Sequence, residues 1–347
     1  MRILITGAAG FLGLHLSTYF AKKKHELVLV DIADFDTSEY PKNSTFVQAD
    51  VRDEKALEKY MKGIDVVVHA AAALPLKSKE EIYDVNINGT KNILGLSLEN
   101  KVKRFVHISS TAVYGVPEKH PIVESDLMVG VGAYGESKIE GEGLCQEYRK
   151  KGLVVTVIRP KTFVGTHRLG VFEILFDWIK DGKRIPLIGS GSNRYQLLDV
   201  DDLVEAVYLC LVHKNEKEIN TEFNIGAEKF GLIKNDLQEV FDYGKSGSTI
   251  LPTPAGPVKL ALMIFERLKL SPLYEWVYAT ADKDSYVSIE KLTRALHWHP
   301  KYSNSQALIK AYQWYLDNYD EIKSRKTGTT HTVGWKQGIL GFFKKFL

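Results

Sequence analysis

Apolar positions follow two rhythms along the chain. Short β-branched runs, "RILITG", "HELVLVD", "TFVQADV", "DVVVHAAA" and "RFVHISS", recur through the first third of the sequence. Between them lie stretches with apolar residues at helical spacing. "FLGLHLSTYFAKKKH" puts Phe11, Leu12, Leu16, Tyr19 and Phe20 on one helical face, and "EKALEKYMKG" and "NGTKNILGLSLEN" read the same way. Brief continuous apolar runs suit strands buried on both faces, and their alternation with helices predicts an α/β fold with a doubly wound parallel sheet. Further on, "VVTVIRP" and "TEFNIG" read as strands that return to that sheet.

The turn between the first strand and the first helix is "TGAAGFLG", with glycines at Gly7, Gly10 and Gly13. A helix N-terminus presents unsatisfied N–H groups, which bind a pyrophosphate well. Gly7 permits the tight turn, Gly10 the close approach of a dinucleotide, and Gly13 the packing of helix on strand. The spacing is G-x-x-G-x-x-G, and glycines also make ordinary turns. The second strand strengthens the reading, because it ends in Asp31 at about the 20-residue offset where a carboxylate binds both hydroxyls of an adenosine ribose. That carboxylate repels a 2′-phosphate and no arginine follows it, so NAD is expected rather than NADP. Asp50, ending the third strand, is placed to accept from the adenine amine. Ala70, Ala71 and Ala72 close the fourth strand with side chains small enough for a cofactor to approach. The predicted organisation is a Rossmann-type NAD-binding domain over 1–165, to which segments near 194–226 return. A substrate-binding region over 166–320 and a basic linker with an amphipathic tail over 321–347 complete it.

Candidate chemistry lies in "AYGESKIEGEGLCQEYRKKG", a predicted helix ending at Gly152. Tyr134 and Lys138 are four residues apart and share a face. A tyrosine pKa near 10 is too high for a general base at neutral pH. A neighbouring ammonium and a positively charged nicotinamide ring favour the phenolate. Tyr134 is then able to take a proton from a substrate alcohol. Ser110, at the carboxyl end of the fifth strand, is placed to hold the same oxygen, since open α/β sheets bind ligands at that end. A Y-x-x-x-K match alone is common; after a dinucleotide fingerprint it carries weight.

Taken in order, "TGAAGFLG", the strand-end Asp31, "VVVHAAA", "NINGTKNIL", "FVHISSTAVYG", "YGESK", "VIRPKTFVG" and "NRYQLLDVDDLVEAV" resemble the extended short-chain dehydrogenase/reductases, the NAD-dependent epimerase/dehydratase family. The resemblance covers most of the chain, with a weaker echo at "LTRALHWHPKYS". It implies a catalytic set of Ser110, Tyr134 and Lys138, with Asn86 supporting the central helix and a proton-relay water. It also implies cofactor contacts at Gly7, Gly10, Phe11, Leu12, Gly13, Asp31, Ile32, Asp50, Val51, Ala70, Ala71, Ala72, Asn86, Ser109, Tyr134 and Lys138, with Pro160 and Phe163 meeting the nicotinamide. Substrate contacts are expected at Ser110, Thr111, Lys161, Thr162, Arg168 and Arg194.

Family dehydratases carry an Asp-Glu pair just after the strand-end hydroxyl, and the sugar-acid decarboxylases keep an acidic residue there. This chain has Thr111 and Ala112, neither of which titrates. Alcohol-to-ketone chemistry remains, run once as a dehydrogenase or reversed on the other face as an epimerase. Arg194 matches an arginine that contacts the diphosphate in sugar-nucleotide members, with a surface salt bridge as its alternative reading. Two features depart from the family pattern. Thr162 stands where an asparagine is usual, beside an unexpected Lys161, and "YATADKDSYV" lacks the late arginine. Lys161 or Arg168 would then take over phosphate binding. The leading expectation is C4 epimerisation of a nucleotide-sugar. The alternatives are a dehydrogenase of a sterol-like or other lipid alcohol, and an NAD-bound regulator or scaffold.

Composition narrows the picture further. With 46 Lys and Arg against 43 Asp and Glu, the net charge of +3 argues against nucleic acid as a partner. The two cysteines, Cys145 and Cys210, offer neither a disulfide framework nor metal spacing, so no metal is expected. Met1 leads straight into a strand pattern, and no apolar run reaches the roughly 20 residues that span a bilayer. The apolar stretch "PAGPVKLALMIFERLKLSPLYEWVYA" reads first as core packing, and otherwise as a lipid pocket or a dimer surface. In the ending "VGWKQGILGFFKKFL", Trp335, Ile339, Phe342, Phe343 and Phe346 share one helical face, while Gln337, Lys344 and Lys345 face away. Such a tail suits an anionic membrane surface or docking on protein in equal measure. A cytoplasmic homodimer is the expectation, with peripheral contact at the inner face of the membrane as one of the two readings of the tail.

Overall fold

The computed structural model describes the chain apart from residues 76, 269, 272, 274 and 326–336. Its centre is a seven-stranded parallel sheet. In chain order the strands are β1 (Arg2–Thr6), β2 (Glu26–Asp31), β3 (Ser44–Gln48), β4 (Val66–His69), β5 (Arg104–Ile108) and β6 (Val155–Pro160), then the short β7 (Phe163–Val164), β8 (Arg184–Ile188), β9 (Leu198–Asp199), β10 (Glu222–Ile225) and β11 (Thr249–Thr253). The spatial order of the large sheet is β10-β6-β5-β4-β1-β2-β3. The chain winds outward from β1 to β3, then crosses back to place β4 on the other side of β1. That reversal opens a crevice beyond the carboxyl ends of β1 and β4, where sheets of this kind take ligands. Both returning strands are present: β6 pairs with β5, and β10 pairs with β6 at the sheet edge.

Successive side chains along a strand point to opposite faces, and the two faces carry separate cores. Ile3, Ile5, Val66, Val68, Val106 and Ile108 point to one side, under the helices Phe11–Lys22 and Val200–Val212. Leu4, Val28, Val30, Val67 and Phe105 point to the other. There they meet Leu57 and Met61 of helix Glu54–Met61, Ile93 and Leu94 of helix Thr90–Glu99, and Cys145 of helix Gly132–Lys150. Cys145 and Cys210 are both buried and free. A third core holds the later region together. Phe172, Phe176 and Trp178 of helix Val171–Lys180 pack with Leu237, Val240 and Phe241 of helix Ile233–Gly244 and with Tyr312 and Tyr315 of helix Asn304–Asp317.

The apolar stretch after Pro254 departs from its first reading. On helix Ala255–Arg267 only Leu262 is buried, while Leu260, Ile264, Leu268 and Leu270 are exposed. Residues 260, 264 and 268 recur one helical turn apart, so the apolar row is an outward face rather than core.

The described part of the tail docks on its own chain, through its polar side. Gln337 donates to Asp177 Oδ2 at 2.6 Å and accepts from Trp178 Nε1 at 3.1 Å. The Lys344 ammonium bridges Asp177 at 2.5 Å and Asp181 at 2.6 Å. Leu340 and Leu347 join the third core, while Phe342, Phe343 and Phe346 point outward. Trp335, placed on the aromatic face by sequence, lies outside the described residues. Among the described residues no helix is long and apolar enough to cross a membrane.

Candidate active site

The glycine turn leaves no room where the sequence argument requires none. Gly7 has φ +69°, and a Cβ there would lie 2.7 Å from the Ala71 nitrogen. At Gly13 a Cβ would lie 2.4 Å from the Gly7 carbonyl oxygen, so helix Phe11–Lys22 touches the turn through backbone alone. Gly10 differs: a Cβ would meet only the Gly7 oxygen, at 3.2 Å. It precedes a helix whose first turn has no side-chain cap, which leaves N–H donors for an anion. Phe11 and Leu12, the first helical residues, are buried and offer backbone to a ligand rather than side chain.

Asp31 stands at the rim of this turn. Its carboxylate accepts from the Ala9 N–H and the Ala33 N–H, each at 2.9 Å, which fixes its direction. Ile32 beside it is 64% exposed, an open apolar surface of the kind an adenine stacks on. The Arg52 guanidinium grips Asp50, with Nη2 at 2.6 Å, and holds its carboxyl below the usual range; Arg52 also reaches Asp84 at 2.7 Å. Val51 is buried, with a methyl lying where a Cβ on Gly89 would go. Behind Ala70, Ala71 and Ala72, His69 spans Thr6 Oγ1 at 2.7 Å and Thr90 Oγ1 at 2.9 Å. Burial holds the His69 pKa down to about 3, so the ring is neutral. This cradle of bare backbone, a directed carboxylate and an open apolar flank fits a dinucleotide.

The chemistry-bearing residues gather where β5 and helix Gly132–Lys150 converge. Ser110 opens the tight turn Thr111–Tyr114, and its Oγ accepts from the Ala112 N–H at 3.1 Å. Thr111 Oγ1 donates to the Pro160 carbonyl at 3.3 Å, which joins the ends of β5 and β6. The Lys138 Nζ lies 5.8 Å from the centroid of the Tyr134 ring and donates to the Ile108 carbonyl at 3.0 Å. Burial lowers the Lys138 pKa to about 8, against the opposing pull of Glu142. Asn86 sits in a π-helical turn, Asp84–Gly89. It accepts from the Ala73 N–H at 2.8 Å and donates to Ser137 Oγ at 3.0 Å. It therefore clamps the loop after β4 to the helix carrying Tyr134. Turns of this kind are frequent at functional sites.

Ser109, expected at the cofactor, has its hydroxyl committed to the protein interior. Its hydroxyl donates to Glu142 Oε1 at 2.6 Å, turned into the protein, because Glu142 belongs to a buried network that sequence reading missed. Arg159 pairs with Glu142 at 2.6 Å, both side chains being 3% exposed, and also donates to the Tyr114 hydroxyl at 2.6 Å. Tyr114 in turn donates to Asn224 of β10 at 2.8 Å. The available signal was that Glu142 continues the stripe Tyr134, Lys138 by one more step of four.

The expected substrate residues divide into separate places. Lys161 is buried and donates to Ser285 Oγ at 2.6 Å, with its Nζ 4.8 Å from the centre of the Tyr195 ring. Thr162 Oγ1 meets the Tyr195 hydroxyl at 3.3 Å. The Arg194 guanidinium lies 4.7 Å from each of the Phe230 and Tyr286 rings, a stacked arrangement rather than the surface salt bridge offered as its alternative reading. Arg168 lies over Phe11 at 5.1 Å and Phe163 at 5.7 Å, and those two rings stack on each other at 5.7 Å. That places it at the glycine turn. Among the described residues no group of His, Cys, Asp or Glu is arranged to hold a metal.

Comparison with known proteins agrees with this geometry. The model of the NAD dependent epimerase/dehydratase family matches residues 3–226. Protein y4nG of Sinorhizobium fredii is 35% identical over 97% of this chain and 84% of its own. A UDP-N-acetyl-alpha-D-glucosaminuronate decarboxylase of Bacillus cytotoxicus is 28% identical over 91% of this chain and 98% of its own. A UDP-glucose 4-epimerase of Halalkalibacterium halodurans is 27% identical over 92% and 96%. Among solved structures, the UDP-glucuronic acid 4-epimerase of Bacillus cereus in complex with NAD superposes with a TM-score of 0.77 at 23% identity, covering 92% of this chain and 98% of that one.

Proposed function

The chain belongs to the NAD-dependent epimerase/dehydratase family, as an enzyme of the extended short-chain dehydrogenase/reductase type with NAD as its cofactor, and from that premise we propose that it epimerises a nucleotide-sugar at C4. The cradle of Gly7, Gly10, Gly13 and Asp31 would hold the NAD, with Asp50 at the adenine and Lys138 near the ribose. When bound, NAD supplies the acceptor for hydride. The chain's own part is proton handling and alignment. Tyr134 takes the proton of the sugar hydroxyl and later returns it, Ser110 holds the same oxygen, and the Lys138 ammonium favours the phenolate. Asn86 acts through position, by fixing the helix that bears Tyr134.

One observation carries the choice of reaction: Lys138 lies against Tyr134 and reaches the end of β5, yet no carboxylate follows Ser110. Thr111 is committed to the Pro160 carbonyl, and Ala112 has no titratable group. Dehydration needs an extra acid and base there. The related decarboxylase notwithstanding, the acidic residue that sugar-acid decarboxylases keep is absent at Ala112. The 4-epimerase relative supports what remains. The homodimer and a peripheral membrane contact stay part of this reading. The outward Phe342, Phe343 and Phe346 support the contact, and family resemblance supports the dimer.

The test is Tyr134→Phe, assayed with UDP-hexoses for C4 inversion, with the nucleotide released by denaturation counted against protein. Turnover is expected to fall by at least about 100-fold, with NAD content unchanged. Turnover surviving in the variant would sink the assignment.

A further inference from the structure

Lys161 is 2% exposed, and its ammonium has one hydrogen-bond partner, the Ser285 hydroxyl at 2.6 Å. Among the described residues no carboxylate pairs with it. The face of the Tyr195 ring lies 4.8 Å from it. Burying a cation without a counter-charge costs several kcal/mol, so buried charges are as a rule paired. Burial alone lowers this lysine's pKa, to about 7, with no acidic group restoring it. The surroundings hold the Arg194 guanidinium, the His120 ring, whose pKa burial lowers, and the Asp284 carboxylate, which acts on His120 rather than pairing with Lys161. His120 stacks on Tyr286 at 4.8 Å, the residue after Ser285, and its Nε2 is buried without a hydrogen bond. Arg194 stacks on the opposite partner of that cluster, 4.7 Å from Tyr286. The nearest carboxylate of the cluster, Asp284, accepts from the Arg194 backbone N–H at 2.8 Å.

The position is as informative as the charge. Lys161 directly follows β6, and its predecessor Pro160 is tied to Thr111, the neighbour of Ser110. It therefore stands at the hexose end of the site, with Arg194 further along, beyond Ser285 and Tyr286. We propose that Lys161 is a specificity-determining residue that binds the carboxylate of a hexuronate, so that the preferred substrate is a nucleotide-linked sugar acid rather than a neutral sugar. This rests on the C4-epimerase reading only for the placement of the hexose. The bound carboxylate supplies the missing counter-ion, and Ser285 holds the ammonium in direction between turnovers.

The experiment is isothermal titration of the NAD-loaded protein with UDP-glucuronate and with UDP-glucose, repeated on Lys161→Met and Lys161→Gln. The two ligands share the diphosphate and differ in the acid. Wild type is expected to bind UDP-glucuronate at least tenfold more tightly. Both variants are expected to bring that ratio near one while UDP-glucose affinity stays within twofold. A wild-type ratio near one, binding of neither ligand, or an equal loss of both in the variants would overturn the proposal, the last pointing to the diphosphate as the anion. Because titration reads binding without turnover, selectivity that persists in an inactive protein would sink the epimerase reading and leave Lys161 standing.

Discussion

The carboxylate of Glu142 and the guanidinium of Arg159 meet at 2.6 Å, each 3% exposed, with Glu142 on the same helix face as Tyr134 and Lys138 and one turn beyond Lys138. The pair ties that helix to β6, and through Tyr114 to β10. Removing one partner of such a pair leaves the other charge stranded, at a cost of about 3–5 kcal/mol. Glu142→Ala should therefore lower stability by that order, read from urea unfolding. Glu142→Gln, which keeps an acceptor for Ser109 and Arg159, should lose less. Equal, small losses in both would show that the pair does not anchor the helix.

Gly13 and Gly10 should respond differently to the same added methyl. At Gly13 the new Cβ meets backbone of Gly7 and Ala8 at 2.4–2.5 Å, and backbone cannot rotate away. Gly13→Ala is expected to destabilise the fold by about 1–3 kcal/mol, as overpacking does. At Gly10 the sole neighbour is an oxygen at 3.2 Å. Gly10→Ala should fold nearly as well as wild type yet retain less NAD, because its methyl points into the space above the turn. Thermal unfolding together with the nucleotide content of each variant checks this, and a Gly10→Ala protein with full NAD would contradict the placement of the pyrophosphate.

His107 gives a pH prediction with a definite sign. It is 1% exposed, stacks on His69 at 5.5 Å, and neither ring nitrogen has a hydrogen-bond partner. Burial, reinforced by Lys138, lowers its pKa well below 6.5. The unfolded chain then binds more protons than the folded one below about pH 6.5. The stability that this neutral ring contributes is complete above that pH and is lost as pH falls, by up to about 1.4 kcal/mol per unit. His69 acts in the same direction. In His107→Phe the drop in urea midpoint between pH 7 and pH 5 should shrink. An unchanged drop would mean that His107 titrates normally.

What was legible in the sequence was what depends on local spacing. The glycine turn, Asp31 one strand later, and Tyr134 with Lys138 are each set by a few consecutive residues. Contacts between distant residues were not legible. Glu142 is 17 residues from Arg159, and Tyr114 is 110 from Asn224, so no periodicity announces either. The commitment of the Ser109 hydroxyl to Glu142 is likewise a tertiary effect. The stretch around Leu260 and Ile264 was read as core because composition reports that residues are apolar, not whether anything covers them. In the tail, Gln337 and Lys344 turn inward while Phe342, Phe343 and Phe346 are exposed. Which face turns inward was decided by Asp177 and Asp181, more than 150 residues away.

Helix Gly132–Lys150 contains a glycine at position 135 whose missing side chain has a wider meaning. A Cβ there would lie 2.9 Å from the Ala112 carbonyl and 3.0 Å from the Gly130 Cα. The gap between the Ser110 turn and the helix bearing Tyr134 is thus gauged by main chain against main chain, at a cost of roughly 1 kcal/mol in helix propensity. A distance gauged in this way does not depend on the bulk of any neighbouring side chain. The cores beneath the sheet are free to exchange one aliphatic residue for another as lineages diverge, while the Ser110 turn and the helix bearing Tyr134 keep their separation. Such insulation of chemistry from sequence drift suits an architecture that persists at 23% identity.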